Sequence, residues 1–367
     1  NFYFEYPNGT VIPAWIESDV NGTLTIWLKL LYSIPPYSKT TIYIVYSKNK
    51  NYMSSKGPIG EAPELSTPYG EYDDGWKVFD FYYNFSGNGY ANSIWQPVYA
   101  QSGEVNNGYY LQNSYPGWGG IYTIQHFDPQ TQIVDYYAYV TQFMPCWYGG
   151  NDIFLGFGSM ATLPYNGYPG YYFITNGYCY NQIPEYGLTN YDSSGNPAEV
   201  PDIGGPNINT LYVLSLWASK TASYAQVNYS TVYSNPMNFQ QTTSSPIAIM
   251  ADNTPTGVYV QWVRVRELPP NGIMPSYYIP YNLITYKNIN QIKNAGPITS
   301  ISAMNNPYSG FCSITITNSQ NLPTPSPFQE MIQLNITQFP QLIYKNNYAN
   351  FYFEYPNGTV IPAWIES

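Results

Sequence analysis

A chain of 367 residues that is 44% hydrophobic and 19% aromatic has ample apolar surface to offset the entropy of ordering its backbone, which excludes a disordered protein. Its formal charge is −10, from 12 basic against 22 acidic side chains, and no Lys/Arg run occurs, so nucleic acid is not an expected partner. Charged residues are only 9%, against roughly a quarter in an ordinary soluble domain; solubility then falls to Tyr, Asn, Ser, Thr and Gln, or to attached sugar, as on a secreted protein.

The 43 Tyr favour strands, the 29 Gly and 32 Pro break helices, and the expectation is an all-β protein of two domains. No stretch nears the roughly 20 apolar residues of a membrane span, and no signal peptide is present. A start at Asn1 rather than Met suggests a processed product or a window from something longer. So few ionisable groups suit either an acidic habitat or plain secretory composition.

Residues 1–47 alternate as a meander: "NFYFEY", the turn "PNGT", "VIPAWIES", the turn "DVNG", "TLTIWLKL" and "TTIYIVY". Leu24, Ile26, Leu28 and Leu30 share one face, and Thr23, Thr25, Trp27 and Lys29 the other. Residues 48–70 read as a linker. Residues 71–268 hold strand-like runs near 78–84, 108–112, 120–126, 136–144, 153–158, 170–175, 211–218, 223–232, 246–250 and 257–267, with a long loop at 177–210; this pattern predicts a jelly-roll sandwich. Residues 269–298 form a second linker, and 299–367 resume short alternating strands.

The opening "NFYFEYPNGTVIPAWIES" at 1–18 recurs letter for letter at 350–367. Self-similarity at a long period is the mark of an array. Residues 299–349 and 19–47 read as the two halves of one small sandwich, with the hairpin belonging between them. One sandwich has room for one hairpin. If head and tail meet in the same molecule, the other hairpin is surplus and exposes an edge; if they do not, the head must find the tail of a neighbour. Either route leads to head-to-tail assembly, by strand exchange or in a covalent tandem array. The expected inter-subunit residues are Phe2, Phe4, Val11, Ile12, Trp15 and Ile16, with their copies Phe351, Phe353, Val360, Ile361, Trp364 and Ile365.

Sequons stand at Asn8, Asn21, Asn84, Asn228, Asn335 and Asn357. In the NGT triplets at Asn8, Asn21 and Asn357, Asn-Gly is also the preferred hairpin turn. Cys146 and Cys179 are close enough in sequence to bridge a loop, with Cys312 left over; buried thiols are the alternative. Glu71, Asp73 and Asp74 in "GEYDDGW" suit capping, solubility or calcium better than catalysis. His126 is the only His and reads as structural. The aromatic clusters "CWYGG", "YPGWGG" and "GYPGYYF" read as packing, with sugar stacking the alternative. Arg264 and Arg266 share a strand face, where acidic neighbours are expected. No enzyme, metal site or cofactor is expected.

"PFQEMIQLNI", "NFYFEYPNGTVIPAWIES", "LTIWLKL" and "TTIYIVY" resemble a domain family of unknown function in secreted archaeal proteins, with "PAWIES", "TIW" and "TTIY" strands. The resemblance implies a small β-sandwich followed by a concanavalin-like jelly roll ending in a strand such as "VYVQWVRVRELPPNG" (258–272), here in permuted order. The whole also looks like the glycosylated surface filaments of thermoacidophilic archaea, whose subunits are joined by donor-strand exchange. The expectation is therefore an extracellular structural subunit whose partners are identical copies and attached glycans. A carbohydrate-binding adhesin is the alternative.

Overall fold

The computed structural model describes residues 2–47, 59–87, 90–98, 103–141, 153–158, 170–177, 184–191, 197–200, 207–236, 244–281, 284–285, 309–338, 353–354 and 360–361. Among them, every regular element is a β-strand or a single-turn 3-10 helix. No helix among them is long and apolar enough to cross a membrane.

The first seven strands are β1 (Phe2–Glu5), β2 (Val11–Ile12), β3 (Ala14–Val20), β4 (Thr23–Leu30), β5 (Ser38–Ser47), β6 (Gly60–Glu61) and β7 (Phe81–Tyr83). The β3–β4 hairpin turns at Asn21 and Gly22, with φ of 53° and 78°, the paired left-handed conformation that favours Asn-Gly in two-residue turns. The Asn8-Gly9 turn is different: Gly9 alone takes positive φ, at 82°, and the loop closes through Tyr6 N–H to the Thr10 carbonyl at 2.9 Å.

Head and tail meet in one small sandwich. Its first sheet runs β2, β1, β5, then the tail strand Ser309–Asn318. Its second runs from the tail strand Phe328–Asn335 through β4 and β3 to β6. The Ser309–Asn318 ladder on β5 extends from Ser309 opposite Ser47 to Asn318 opposite Ser38. Phe328–Asn335 lies along all of β4. Strands β4 and β5 are thus central, each with the hairpin on one side and the tail on the other. The alternation in β4 sends Leu24, Ile26, Leu28 and Leu30 into the core with Phe4, Ile42 and Ile314.

The second unit is a jelly roll organised by one long strand, Ile247–Glu267. Its first part pairs with Ile153–Phe157 and its last part with Gln132–Val140 and β7. The core between includes Trp95, Tyr109, Tyr136 and Leu214, all 0% exposed.

Several sequence expectations change here. The runs at 246–250 and 257–267 are one strand, as are 108–112 and 120–126, now Tyr109–Thr123. Register shifts after Gln112 and after Asn113 let these strands continue through residues that read as breakers. The stretch 177–210 contains the strands Pro184–Tyr191 and Pro197–Val200 rather than loop alone. The run at 223–232 splits into Ala222–Val227 and Val232–Pro236 around Asn228 and Tyr229, both at positive φ. Within 48–70, β6 pairs in parallel with β3 and Ala62 is fully buried. Within 269–298, Ser276–Tyr278 and Ile284–Thr285 join the tail strand.

Candidate functional site

The first hairpin copy sits in a built seat. Strand β1 ladders onto β5, from Phe2 opposite Tyr46 to Glu5 opposite Tyr43, and β3 ladders onto β4, from Ala14 opposite Leu28 to Ile16 opposite Ile26. The register slips between Ile16 and Ser18, leaving Glu17 unpaired in a bulge, the device by which a strand re-aims one side chain.

Trp15 and Glu17 leave the small sandwich and plug into the jelly roll. The Trp15 Nε1–H donates to Asp73 Oδ1 at 2.9 Å. Asp73 also accepts from Tyr82 OH at 2.7 Å, Asn84 Nδ2 at 2.6 Å and the Gly75 N–H at 3.1 Å. Burial raises the Asp73 pKa, and these donors offset part of that rise. Glu17 Oε2 receives Trp27 Nε1–H at 2.7 Å and Tyr229 OH at 2.6 Å, and lies 2.7 Å from Arg264 Nη1.

Arg264 is 0% exposed. Its Nε donates to Asp135 Oδ2 at 2.8 Å, and Nη2 donates to the Tyr229 hydroxyl. The guanidinium carbon lies 4.5 Å from the Trp27 ring centre, 4.6 Å from Trp262 and 4.7 Å from Phe79, so rings desolvate it while their faces attract its charge. Arg266 donates to the same Asp135 oxygen at 2.8 Å. Burial alone would raise the Asp135 pKa; the two guanidiniums overcome it, and the net shift is downward. Burial likewise opposes charge on Arg264, but Tyr229, Glu17 and Asp135 raise its pKa. The arrangement ties β3 of the small sandwich to the jelly roll through Arg264, Glu17, Trp15 and Asp73.

Of the residues expected between subunits, the first-copy set is seated within its own chain: Phe4, Ile12 and Trp15 are buried, and Phe2, Val11 and Ile16 half-buried. Glu17 was not among them. Its signal was an acid directly following the apolar Trp15 and Ile16 in a strand, in a chain with only two Arg. In the second copy, Phe353–Glu354 pairs with Val360–Ile361, in the register of Phe4 with Ile12 and Glu5 with Val11. Phe351, Trp364 and Ile365 lie outside the described residues, as do Cys146, Cys179, Asn357 and "CWYGG". Cys312 is buried in the small-sandwich core. Asn8, Asn21 and Asn228 are exposed, and Asn84 and Asn335 half-buried. His126 is exposed. Among the described residues, no group of three or more His, Cys, Asp or Glu is placed to hold a metal ion.

No protein-family model matches the chain. It is 28% identical over 297 residues to "Uncharacterized protein 562" of Sulfolobus islandicus rod-shaped virus 1, covering 73% of this chain. The chain spans about half the length of that relative, 50%. Solved structures with similar folds include the carbohydrate-binding module CBM66 from Bacillus subtilis, at 12% identity and TM-score 0.34, covering 47% of this chain and 98% of that one. A beta-1,3-glucanase from Mycobacterium marinum matches at 11% identity and TM-score 0.38, covering 51% and 98%. The Emp46p carbohydrate recognition domain, metal-free form, matches at 10% identity and TM-score 0.36, covering 47% and 88%.

Proposed function

We propose that this chain is a structural unit of an extracellular filament, whose copies join head to tail by β-strand complementation at the small sandwich. The observation that carries the reading is the unequal fate of two identical hairpins. One copy fills the only positions beside β4 and β5 that the tail leaves open. The other ladders only to itself among the described residues. To be seated as the first copy is, it needs a second β4–β5 pair, and another copy of the unit supplies one when that copy's own hairpin is exchanged out of its seat. Contacts of this kind that do not close on themselves propagate as a filament. The joint holds whether successive units are separate chains or one tandem polypeptide, because the strands and their partners are the same.

Electron microscopy of material purified from the producing cells, read beside denaturing gel mobility, tests this. Filaments are expected. Dissolution to single units would mean strand exchange, and a ladder or very large band a covalent array. Discrete monomers that bind sugars on a glycan array would replace the filament with an adhesin.

A further inference from the structure

The tail strand Phe328–Asn335 carries or meets buried carboxyl groups on both of its faces. Asp80 Oδ2 is buried with no hydrogen-bond partner, and the group against it is the carboxyl of Glu267. Two carboxylates are both acceptors, so this pair can bond only when one of them carries a proton. The tail strand is tied into the same place. Gln329, fully buried, donates from Nε2 to the Val78 carbonyl at 3.1 Å and to Asp80 Oδ1 at 3.2 Å, and its Oε1 accepts the Glu267 N–H at 2.9 Å.

One residue further along, Glu330 is 0% exposed, and neither carboxyl oxygen has a partner. Strand alternation puts it on the face of Phe328, Ile332 and Leu334, opposite Leu28 of β4. The titratable groups around these acids offer little charge of the other sign. Tyr277 is the group that senses Glu330. The Asp80–Glu267 pair is faced by Lys29 of β4, Gln132 and Asp128. Arg264 and Arg266 are already engaged with Asp135, Arg264 also with Glu17, and Lys77 pairs with Asp74.

We propose that this tail strand is locked by protons: in acid, Glu330 on its sandwich-core face and the Asp80–Glu267 pair at its contact with the jelly roll are neutral and hold Phe328–Asn335 in place, and their ionisation at higher pH loosens it. Burial raises the Glu330 pKa well above the usual carboxylate value. Burial, then the charge of Asp80, raises Glu267 to about 7. A folded-state pKa above the unfolded one means that the folded chain holds more protons, so this stability is fully present below about pH 4. It is lost as pH rises toward the folded-state values.

The test needs only the purified chain and does not depend on filament formation. Chemical denaturation from about pH 4 to about pH 8 is combined with hydrogen exchange, corrected for intrinsic rates. The midpoint is expected to fall as pH rises, with protection lost about tenfold more in 328–335 than in the jelly-roll strand Tyr212–Ala218. Glu267→Gln and Glu330→Gln should each flatten the fall, since an amide imitates the protonated acid at every pH. A midpoint that is constant or rises, protection lost equally in both strands, or a slope unchanged by either substitution overturns the proposal. Should E330Q not fold, E267Q and D80N decide it.

Discussion

Glu17 Oε2 and Arg264 Nη1 meet at 2.7 Å, both buried, across the boundary between hairpin and jelly roll. The hairpin is therefore held in two ways, by ladders that any extended strand could form and by a plug that needs this acid at this bulge. The ladders give affinity; the plug sets register and orientation, because a slip of one residue would leave the buried guanidinium with Asp135 as its one acid and its Nη1 without Glu17.

Removing that acid should be costly. Glu17→Ala leaves Arg264 with Asp135 alone and strands the Trp27 Nε1–H. A loss of about 3 kcal/mol is expected, read as a lowered urea midpoint at constant slope.

Trp15 contributes both a hydrogen bond and bulk. Trp15→Phe keeps most of the ring but removes the donor to Asp73, for an expected loss of about 1 kcal/mol. Trp15→Ala also opens a cavity against Phe79 and Trp262 and should cost about 4 kcal/mol. Unfolding curves of the two variants separate the terms; equal losses would show that packing contributes nothing beyond the donor.

Much of the small sandwich was legible because its strands are short and half-buried. The four leucine and isoleucine positions of β4 alternate without interruption, and Asn21-Gly22 marks the turn before them. The jelly roll was harder to read. Ile247–Glu267 passes through "DNTPTG", residues that signal a turn when a strand has no bulge to absorb them. Glu17 was legible only as an acid within an apolar strand, since its meaning depends on Arg264 and Tyr229, which only tertiary folding brings near. The acids of "GEYDDGW" gave a true signal of polar importance but not its direction: Asp73 accepts the Trp15 indole rather than capping a local turn alone.

The tail should matter to the sandwich as much as the head does. Ile332 is fully buried opposite Ile26, and Ile332→Ala is expected to cost about 3 kcal/mol. Limited proteolysis should then cut the tail strands of this variant before the jelly roll; cleavage at the wild-type rate would contradict the seating described.

The sequons differ in access. Asn8, Asn21 and Asn228 are exposed, with Asn21 and Asn228 held at φ of 53° and 48° on turns. Asn84 directs Nδ2 into Asp73 at 2.6 Å. Glycopeptide mass spectrometry of native material should find sugar on the three exposed sites before Asn84; sugar on Asn84 alone would reverse this ranking.

The surplus hairpin is the centre of the account, and its removal tests it most directly. Chains 1–367 and 1–349 are compared by electron microscopy and light scattering over a range of concentration. The shorter chain loses only the described strands Phe353–Glu354 and Val360–Ile361 and should stay a folded monomer with an unchanged unfolding midpoint, while the longer one forms head-to-tail assemblies. Assembly that is equal in both chains, or absent from the full chain at every concentration, would contradict the account.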